Sequence, residues 1–111
     1  MIEIKKADNQ FKTENNINYE AYVCFDKEDV LGLVEYKIEE NDLILTKIDC
    51  DENLLADGIV RQTLNNALDN GCETCKFNEE VKNRLFDIRI IKNKDQNSID
   101  ILDFFMKINH I

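Results

Sequence analysis

The amino-acid sequence predicts an α/β fold of the α+β type, in which a mixed and mostly antiparallel sheet contains one β-α-β crossover. Roughly the first fifty residues alternate between apolar and polar side chains, as strands do. Near Asp51 the apolar period lengthens to that of a helix. A short apolar segment at 72–77, CETCKF, then separates two helical segments, which is typical of a strand that follows a crossover.

The N-terminal part predicts four strands joined as a meander. Ile2 and Ile4 alternate with charged residues, and YEAYVCF is rich in aromatic and β-branched side chains. A polar stretch, DNQFKTENNIN, separates these two segments, whereas DKED and EEND are typical of turns. The predicted strands are the short segment around Ile2 and Ile4, followed by 19–25, 30–38 and 43–50.

The first predicted helix covers 58–70. Val60, Leu64 and Ala67 recur at helical spacing, and Gly71 stands where a left-handed residue would end the helix. Because a strand-helix-strand crossover normally makes a parallel pair, we expect the strands before and after this helix to be neighbours in the sheet.

The second helical segment is NEEVKNRLFDIRI. Asn78 is its candidate N-cap, and Glu79 and Glu80 complement the dipole of the first turn. KNKDQN, at 92–97, is predicted to be a solvated loop. SIDILDFFMKI has apolar residues at helical spacing and predicts a last short helix, with a strand as the alternative.

Length and composition limit the classes of protein that the sequence can encode. A chain of 111 residues fits a single domain, 1–111. Its 14 basic and 23 acidic residues give a net charge of −9, which would repel nucleic acid and anionic membranes, so neither is an expected partner. The N-terminal sequence has no apolar signal region and no segment is apolar enough to span a bilayer, so the expected location is the cytoplasm.

The four cysteines are predicted to be reduced, structural thiols. In the cytoplasm Cys24 and Cys50 are not expected to form disulfides. The spacing of Cys72 and Cys75 suggests a metal or redox site, but residues three apart in a strand point to opposite faces, and the only histidine, His110, is near the C-terminus. No metal site is predicted, and a thiol metal or redox protein remains the alternative.

The order of elements, an antiparallel meander followed by helix, strand and helix, resembles the core of the GNAT superfamily of N-acetyltransferases over roughly residues 20 to 90. In that family a turn of the form Arg/Gln-x-x-Gly-x-Gly/Ala joins the fourth strand to the helix, and its N–H groups bind the pyrophosphate of acetyl-CoA. The resemblance implies that LADGIV is this turn, with Gly58 as its matching position. The implied acetyl-CoA-binding residues of the turn are Leu55, Ala56, Asp57, Gly58, Ile59 and Val60.

A second part of the resemblance follows the next strand. The family often has an Asn that meets CoA, a small residue three positions on, and a Tyr four further that can protonate the leaving thiolate. Asn78 matches the first position and is implied to bind the cofactor, whereas Val81 and Leu85 replace the other two. Only a short polar stretch stands where the family commonly has acceptor-binding helices. The chain thus resembles a truncated, degenerate member.

The charges near Gly58 oppose a diphosphate. Asp51, Glu52 and Asp57 are close in sequence and Arg61 is the one nearby cation, and a like-charge contact at about 4 Å costs on the order of 1 kcal/mol in water. The alternative role of Gly58 is to allow close packing or a tight entry into the helix.

The sequence alone assigns no catalytic residue. An N-acetyltransferase needs a base for the acceptor ammonium, and Asp49 and Glu35 are carboxylates near the open end of the central strands. Cys50 has no histidine to activate it as a nucleophile.

Three functions are compatible with the sequence. The first is an acetyl-CoA-dependent N-acyltransferase that acts on a small-molecule or protein amine. The second is a GNAT-like module that has lost catalysis and binds a partner or forms a homodimer. The third is the thiol metal or redox protein.

Overall fold

The computed structural model describes residues 2–7 and 20–108. The predicted polar stretch at 8–18, Tyr19 and His110 lie outside the described residues. Within these ranges the chain forms one mixed sheet of six strands and three helices. In chain order the elements are β1 (Ile2–Lys6), β2 (Glu20–Asp26), β3 (Asp29–Glu39), β4 (Asp42–Asp49), α1 (Asn53–Asp69), β5 (Thr74–Phe77), α2 (Glu79–Asp87), β6 (Ser98–Asp100) and α3 (Ile101–Ile108).

The sheet confirms the predicted topology. Its strand order is β1-β2-β3-β4-β5-β6, and every neighbouring pair is antiparallel except β4 and β5. These two are parallel and are joined by α1, which is the expected β-α-β crossover. The mixed, mostly antiparallel α+β fold is therefore as the sequence predicted.

Several boundaries differ from the prediction. Helix α1 begins at Asn53 rather than at residue 58, with an exposed first turn in which Leu54 is 77% exposed. Helix α2 ends at Asp87, three residues before the end of the predicted helical segment. Strand β5 begins at Thr74, so Cys72 precedes it. The last segment contains both of the alternatives, a three-residue strand and then a helix.

The inner face of α1 forms much of the core. It packs against β1 to β4 and against α3. Thr63 is the one polar side chain on the buried face, and its hydroxyl is satisfied because it donates to the carbonyl oxygen of Ile59 at 2.8 Å. The buried residues of α1 are Ala56, Ile59, Val60, Thr63, Leu64 and Ala67.

Candidate functional site

The two parallel strands pair over only part of their length. The last pair of β4 and β5 is Leu45 with Phe77. Beyond it β4 continues to Asp49, paired only with β3, while the chain of β5 turns into α2. Both α1 and α2 begin just after the carboxyl ends of these strands. Because ligands of α/β folds bind outside the carboxyl ends of parallel strands, we call this opening the β4–β5 cleft and take it as the candidate site.

A β-bulge shapes β4 at the start of the cleft. Glu35 pairs with Lys47 and Tyr36 pairs with Leu45, so Thr46 has no partner of its own in β3. The Thr46 hydroxyl lies 2.9 Å from Oε1 of Glu35 and 3.1 Å from the Glu35 carbonyl oxygen, and donates to them. The bulge therefore holds the Glu35 carboxylate in one orientation.

Asn78 connects this bulge to α2. Its Oδ1 accepts a hydrogen bond from the backbone N–H of Val81 at 2.8 Å, so it is the N-cap of α2, as predicted. Its Nδ2 donates to the carbonyl oxygen of Thr46 at 3.4 Å. Glu35, Thr46 and Asn78 thus form a polar row that crosses the sheet at the start of the cleft.

One oxygen of Glu35 in this row is unsatisfied. The residue is only 6% exposed, and its Oε2 is buried with no hydrogen-bond partner among the described residues. Leaving a buried polar atom without a partner costs roughly 1–3 kcal/mol, and more when the group is charged. A ligand that brings a donor to this oxygen would recover that free energy.

The first turn of α1 stands at the same cleft without a side-chain cap. Glu52 occupies the N-cap position in an extended conformation, and its side chain makes no capping hydrogen bond. The first backbone N–H to make a helical hydrogen bond is that of Ala56, which donates to the carbonyl oxygen of Glu52 at 2.9 Å. The preceding N–H groups of the turn have no intrahelical acceptor, and the helix dipole makes this end attractive to anions.

Arg84 of α2 brings a cation to that turn. Its Nη2 donates to the carbonyl oxygen of Cys50 at 2.7 Å, and its Nη1 donates to Oδ1 of Asn53 at 2.8 Å. Sequence reasoning missed this residue, because it lies 31 positions after Asn53 and reaches it only through the packing of α2. No local motif could have indicated it.

The segment predicted to be a cofactor-binding turn is helical. All of the residues from Leu55 to Val60 lie inside α1. Gly58 faces β1, since a Cβ atom there would lie 3.4 Å from Cδ1 of Ile4. Asp57 accepts hydrogen bonds from Nε of Arg61 at 2.9 and 3.0 Å. The expectation that Gly58 sits in a turn before the helix is therefore wrong.

Helix α1 begins five residues before its predicted start, and moving the family pattern four residues toward the N-terminus brings it to the first turn of the helix. If the pattern Arg/Gln-x-x-Gly-x-Gly/Ala is placed there, its defining positions fall on Asp51, Leu54 and Ala56. Ala56 satisfies the last position, whereas Asp51 puts a negative charge where the pattern has Arg or Gln. Arg84 is then the cation that stands at this turn.

Substituting Gly58 by alanine should stabilise the protein. Gly58 lies in the helix interior, the distance to Ile4 is an ordinary van der Waals contact, and its φ is not positive. We expect Gly58→Ala to raise the free energy of unfolding by about 0.5–1 kcal/mol. Urea denaturation of both proteins measures this, and a destabilised variant would show that the backbone at residue 58 needs glycine.

The cysteines are buried free thiols, and none belongs to the polar row. Burial raises the pKa of Cys24, Cys50, Cys72 and Cys75 above that of an exposed thiol. A raised pKa keeps them protonated at neutral pH, which disfavours both nucleophilic attack and metal ligation. In the described part of the chain, no group of three or more His, Cys, Asp or Glu residues is arranged to hold a metal ion.

Comparison with solved structures identifies this architecture. An IAA acetyltransferase from Bacillus cereus superposes with a TM-score of 0.61 at 14% identity, over 78% of this chain and 74% of that chain. The fold is that of the GNAT acetyltransferases. PaiA N-acetyltransferase from Thermoplasma acidophilum, in complex with coenzyme A, gives a TM-score of 0.58 at 12% identity, over 69% of this chain and 78% of that chain.

A third solved structure with the GNAT fold is a mutant of the AtaT toxin bound to the C-terminus of the antitoxin AtaR. It gives a TM-score of 0.63 at 12% identity and covers 100% of this chain and 99% of that chain. Neither a family sequence model nor a curated protein sequence matches the chain. No helix within residues 2–7 and 20–108 is long and apolar enough to cross a membrane.

Proposed function

We propose that this chain binds an acyl-CoA, acetyl-CoA in the simplest case, at the β4–β5 cleft and transfers the acyl group to an amine. The observation that carries the proposal is the polar row at the bulge of β4, where a buried carboxylate oxygen without a donor lies beside the split between two parallel strands. The GNAT fold and the coenzyme A in the PaiA complex support it.

Two features of the cleft supply groups that such a reaction needs. The uncapped first turn of α1, with Arg84 beside it, would hold the diphosphate of the cofactor. Asn78 presents an amide donor on the opposite side of the cleft from Glu35, across Thr46. Bound acetyl-CoA would supply the acyl group as a thioester: the neutral amine forms the amide bond to its carbonyl carbon, the carbon–sulfur bond breaks, and coenzyme A leaves as the thiol with the proton that the attacking nitrogen loses.

Glu35 is the base in this proposal. Oε1 is held by the Thr46 hydroxyl, so Oε2 is the oxygen that receives a hydrogen bond from the acceptor ammonium and takes its proton, directly or through a water molecule. The negative net charge of the chain, −9, would attract a cationic acceptor. We therefore propose an amine as the acceptor, in a small molecule or on a protein.

The acidic residues at the first turn of α1 should weaken cofactor binding. Asp51 and Glu52 are both exposed and stand where the diphosphate would approach. We expect the double change Asp51→Asn and Glu52→Gln to tighten acetyl-CoA binding by roughly tenfold, because each like-charge contact costs on the order of 1 kcal/mol. Calorimetric titration of the wild type and the variant with acetyl-CoA measures the difference.

The matched control for this experiment is the double change Glu40→Gln and Glu73→Gln, which also removes two negative charges. Both residues are exposed and precede β4 and β5, so they lie at the opposite end of these parallel strands from Asp51 and Glu52. An equal gain in the control would mean that only net charge matters and that no diphosphate sits at α1. Absence of binding at millimolar acetyl-CoA in all three proteins would remove the proposed function.

A specific observation also favours the second candidate function, a GNAT-fold module without catalysis. Leu85 stands where the family pattern has a Tyr that protonates the thiolate, and it is fully buried in the core. No side chain at that position can deliver a proton. Such a module would bind a protein partner, as the AtaT toxin binds AtaR, or a second copy of itself. Sedimentation of the pure chain and an acyl-transfer assay separate the two functions.

A further inference from the structure

A cavity of about 260 Å³ lies apart from the cleft. It is open to solvent on one side and is lined by residues of α1, of the segment between α2 and β6, of β6 and of α3. None of the residues of the polar row and none of the first turn of α1 lines it. The proposed acyl transfer therefore leaves this cavity without a role.

Three cationic side chains line the cavity, in a chain whose net charge is −9. The Nε of Arg61 is held by the carboxylate of Asp57, and its guanidinium carbon lies 5.2 Å from the ring centroid of Phe104. These contacts fix the guanidinium and leave its terminal nitrogens available. Arg89 and Lys92 are exposed and form no ion pair with any described residue.

The carboxylates at the cavity equal its cations in number, since Asp57 pairs with Arg61 while Asp100 and Asp103 lie in the lining. Oδ1 of Asp100 accepts a hydrogen bond from the backbone N–H of Asp103 at 2.9 Å and so caps the start of α3. The donors at the cavity that have no ion-pair partner among the described residues are therefore those of Arg89 and Lys92. The aromatic ring of Phe104 beside them is an apolar wall.

We propose that this cavity binds a small organic oxyanion, a phosphate monoester or a dicarboxylate. Arginine and lysine together at one site give charge-assisted hydrogen bonds to either group. The volume admits a ligand of a few carbon atoms together with the oxyanion, and is smaller than the usual range for drug-sized molecules. The organic part would pack on Phe104.

Arg89 provides a way to separate binding from folding. Arg89 follows the last turn of α2 in a left-handed conformation, with φ of 64°. Its N–H donates to the carbonyl oxygen of Phe86 at 3.0 Å, and the N–H of Ile90 donates to the carbonyl oxygen of Leu85 at 2.9 Å. Glycine is the residue that this helix ending favours. The substitution Arg89→Gly should therefore raise the thermal midpoint while it removes a cation from the cavity.

The experiment is an NMR titration of the isotope-labelled full chain with inorganic phosphate, glycerol phosphate and succinate at neutral pH and low salt. We expect saturable shifts at Arg89, Lys92 and the Arg61 side chain. Arg89→Gly and Lys92→Ala should each weaken binding by about tenfold, the equivalent of one charge-assisted hydrogen bond. If glycerol phosphate binds more tightly than succinate, the ligand is a phosphate monoester; if succinate binds more tightly, it is a dicarboxylate.

The matched control is Lys94→Ala, which removes the same charge from a side chain that lies 5.0 Å from the Phe86 ring and does not line the cavity. Its affinity should stay within twofold of the wild type. An equal loss in this control, no saturable shift with any of the three anions, or displacement of the anion by coenzyme A would each overturn the proposal. The last result would assign the cavity to the cofactor.

Discussion

Gly32→Ala should be the most destabilising alanine substitution among the glycines of this chain. A Cβ atom at residue 32 would lie 2.6 Å from both Cβ and Sγ of Cys50 and 3.1 Å from the carbonyl oxygen of Asp49. The Cβ of Cys50 moves only with its backbone, so β3 and the end of β4 must separate. Overpacking of this kind costs about 1–3 kcal/mol or more, and we expect the upper end of that range from urea denaturation.

A double-mutant cycle tests whether the steric contact is the cause. Cys50→Gly removes both of the atoms that the new methyl group would meet, at the cost of a buried side chain. Gly32→Ala should therefore be much less destabilising in the Cys50→Gly background than in the wild type. Gly58→Ala, which meets only Ile4 at 3.4 Å, is the control for the loss of a glycine. If Gly32→Ala lowers the free energy of unfolding by the same amount in both backgrounds, crowding against Cys50 is not the cause.

Gly32→Ala should also weaken acyl-CoA binding. The carbonyl oxygen of Cys50 is the acceptor that holds Arg84 at the first turn of α1. A displacement of Cys50 would move this cation away from the cleft. Gly32 is thus linked to the candidate site through Cys50, whereas Gly58 packs against β1.

The fold could be predicted from the sequence because it depends on periodic patterns. The apolar period of two before Asp51 and the helical period after it are local properties of the chain, and the crossover rule then makes β4 and β5 parallel. The N-cap role of Asn78 was predictable for the same reason, since a cap acts within one turn.

The cleft could be predicted only in part. Glu35 was among the candidate bases, but its burial and its unsatisfied oxygen depend on the bulge at Thr46, which is a property of strand pairing and leaves no mark in a single sequence. Arg84 reaches α1 from another helix. The start of α1 was misplaced because Gly58 was expected in a turn before the helix, whereas the buried apolar face of the helix extends back to Ala56.

Glu35→Gln should abolish most of the acyl transfer while leaving acetyl-CoA binding intact. Glutamine has nearly the same shape and keeps an oxygen for the Thr46 hydroxyl, but its amide cannot take a proton from the acceptor ammonium. Loss of a general base typically costs a factor of about 10² to 10⁴, and we expect a decrease in kcat/KM of that size. The free energy of unfolding should change little or rise, because a buried charge is removed.

Asp49→Asn is the matched control for this change. Asp49 is the other carboxylate near the open end of the central strands and is the last residue of β4. It is exposed, whereas Glu35 is buried. Transfer to n-butylamine should be unaffected in this variant, and n-butanol at the same concentration should compete poorly, because it brings no ammonium to Oε2 of Glu35. If Asp49→Asn loses the activity that Glu35→Gln retains, Asp49 is the base. If the wild type binds acetyl-CoA but transfers nothing to any amine, the buried oxygen of Glu35 serves a binding module rather than an enzyme.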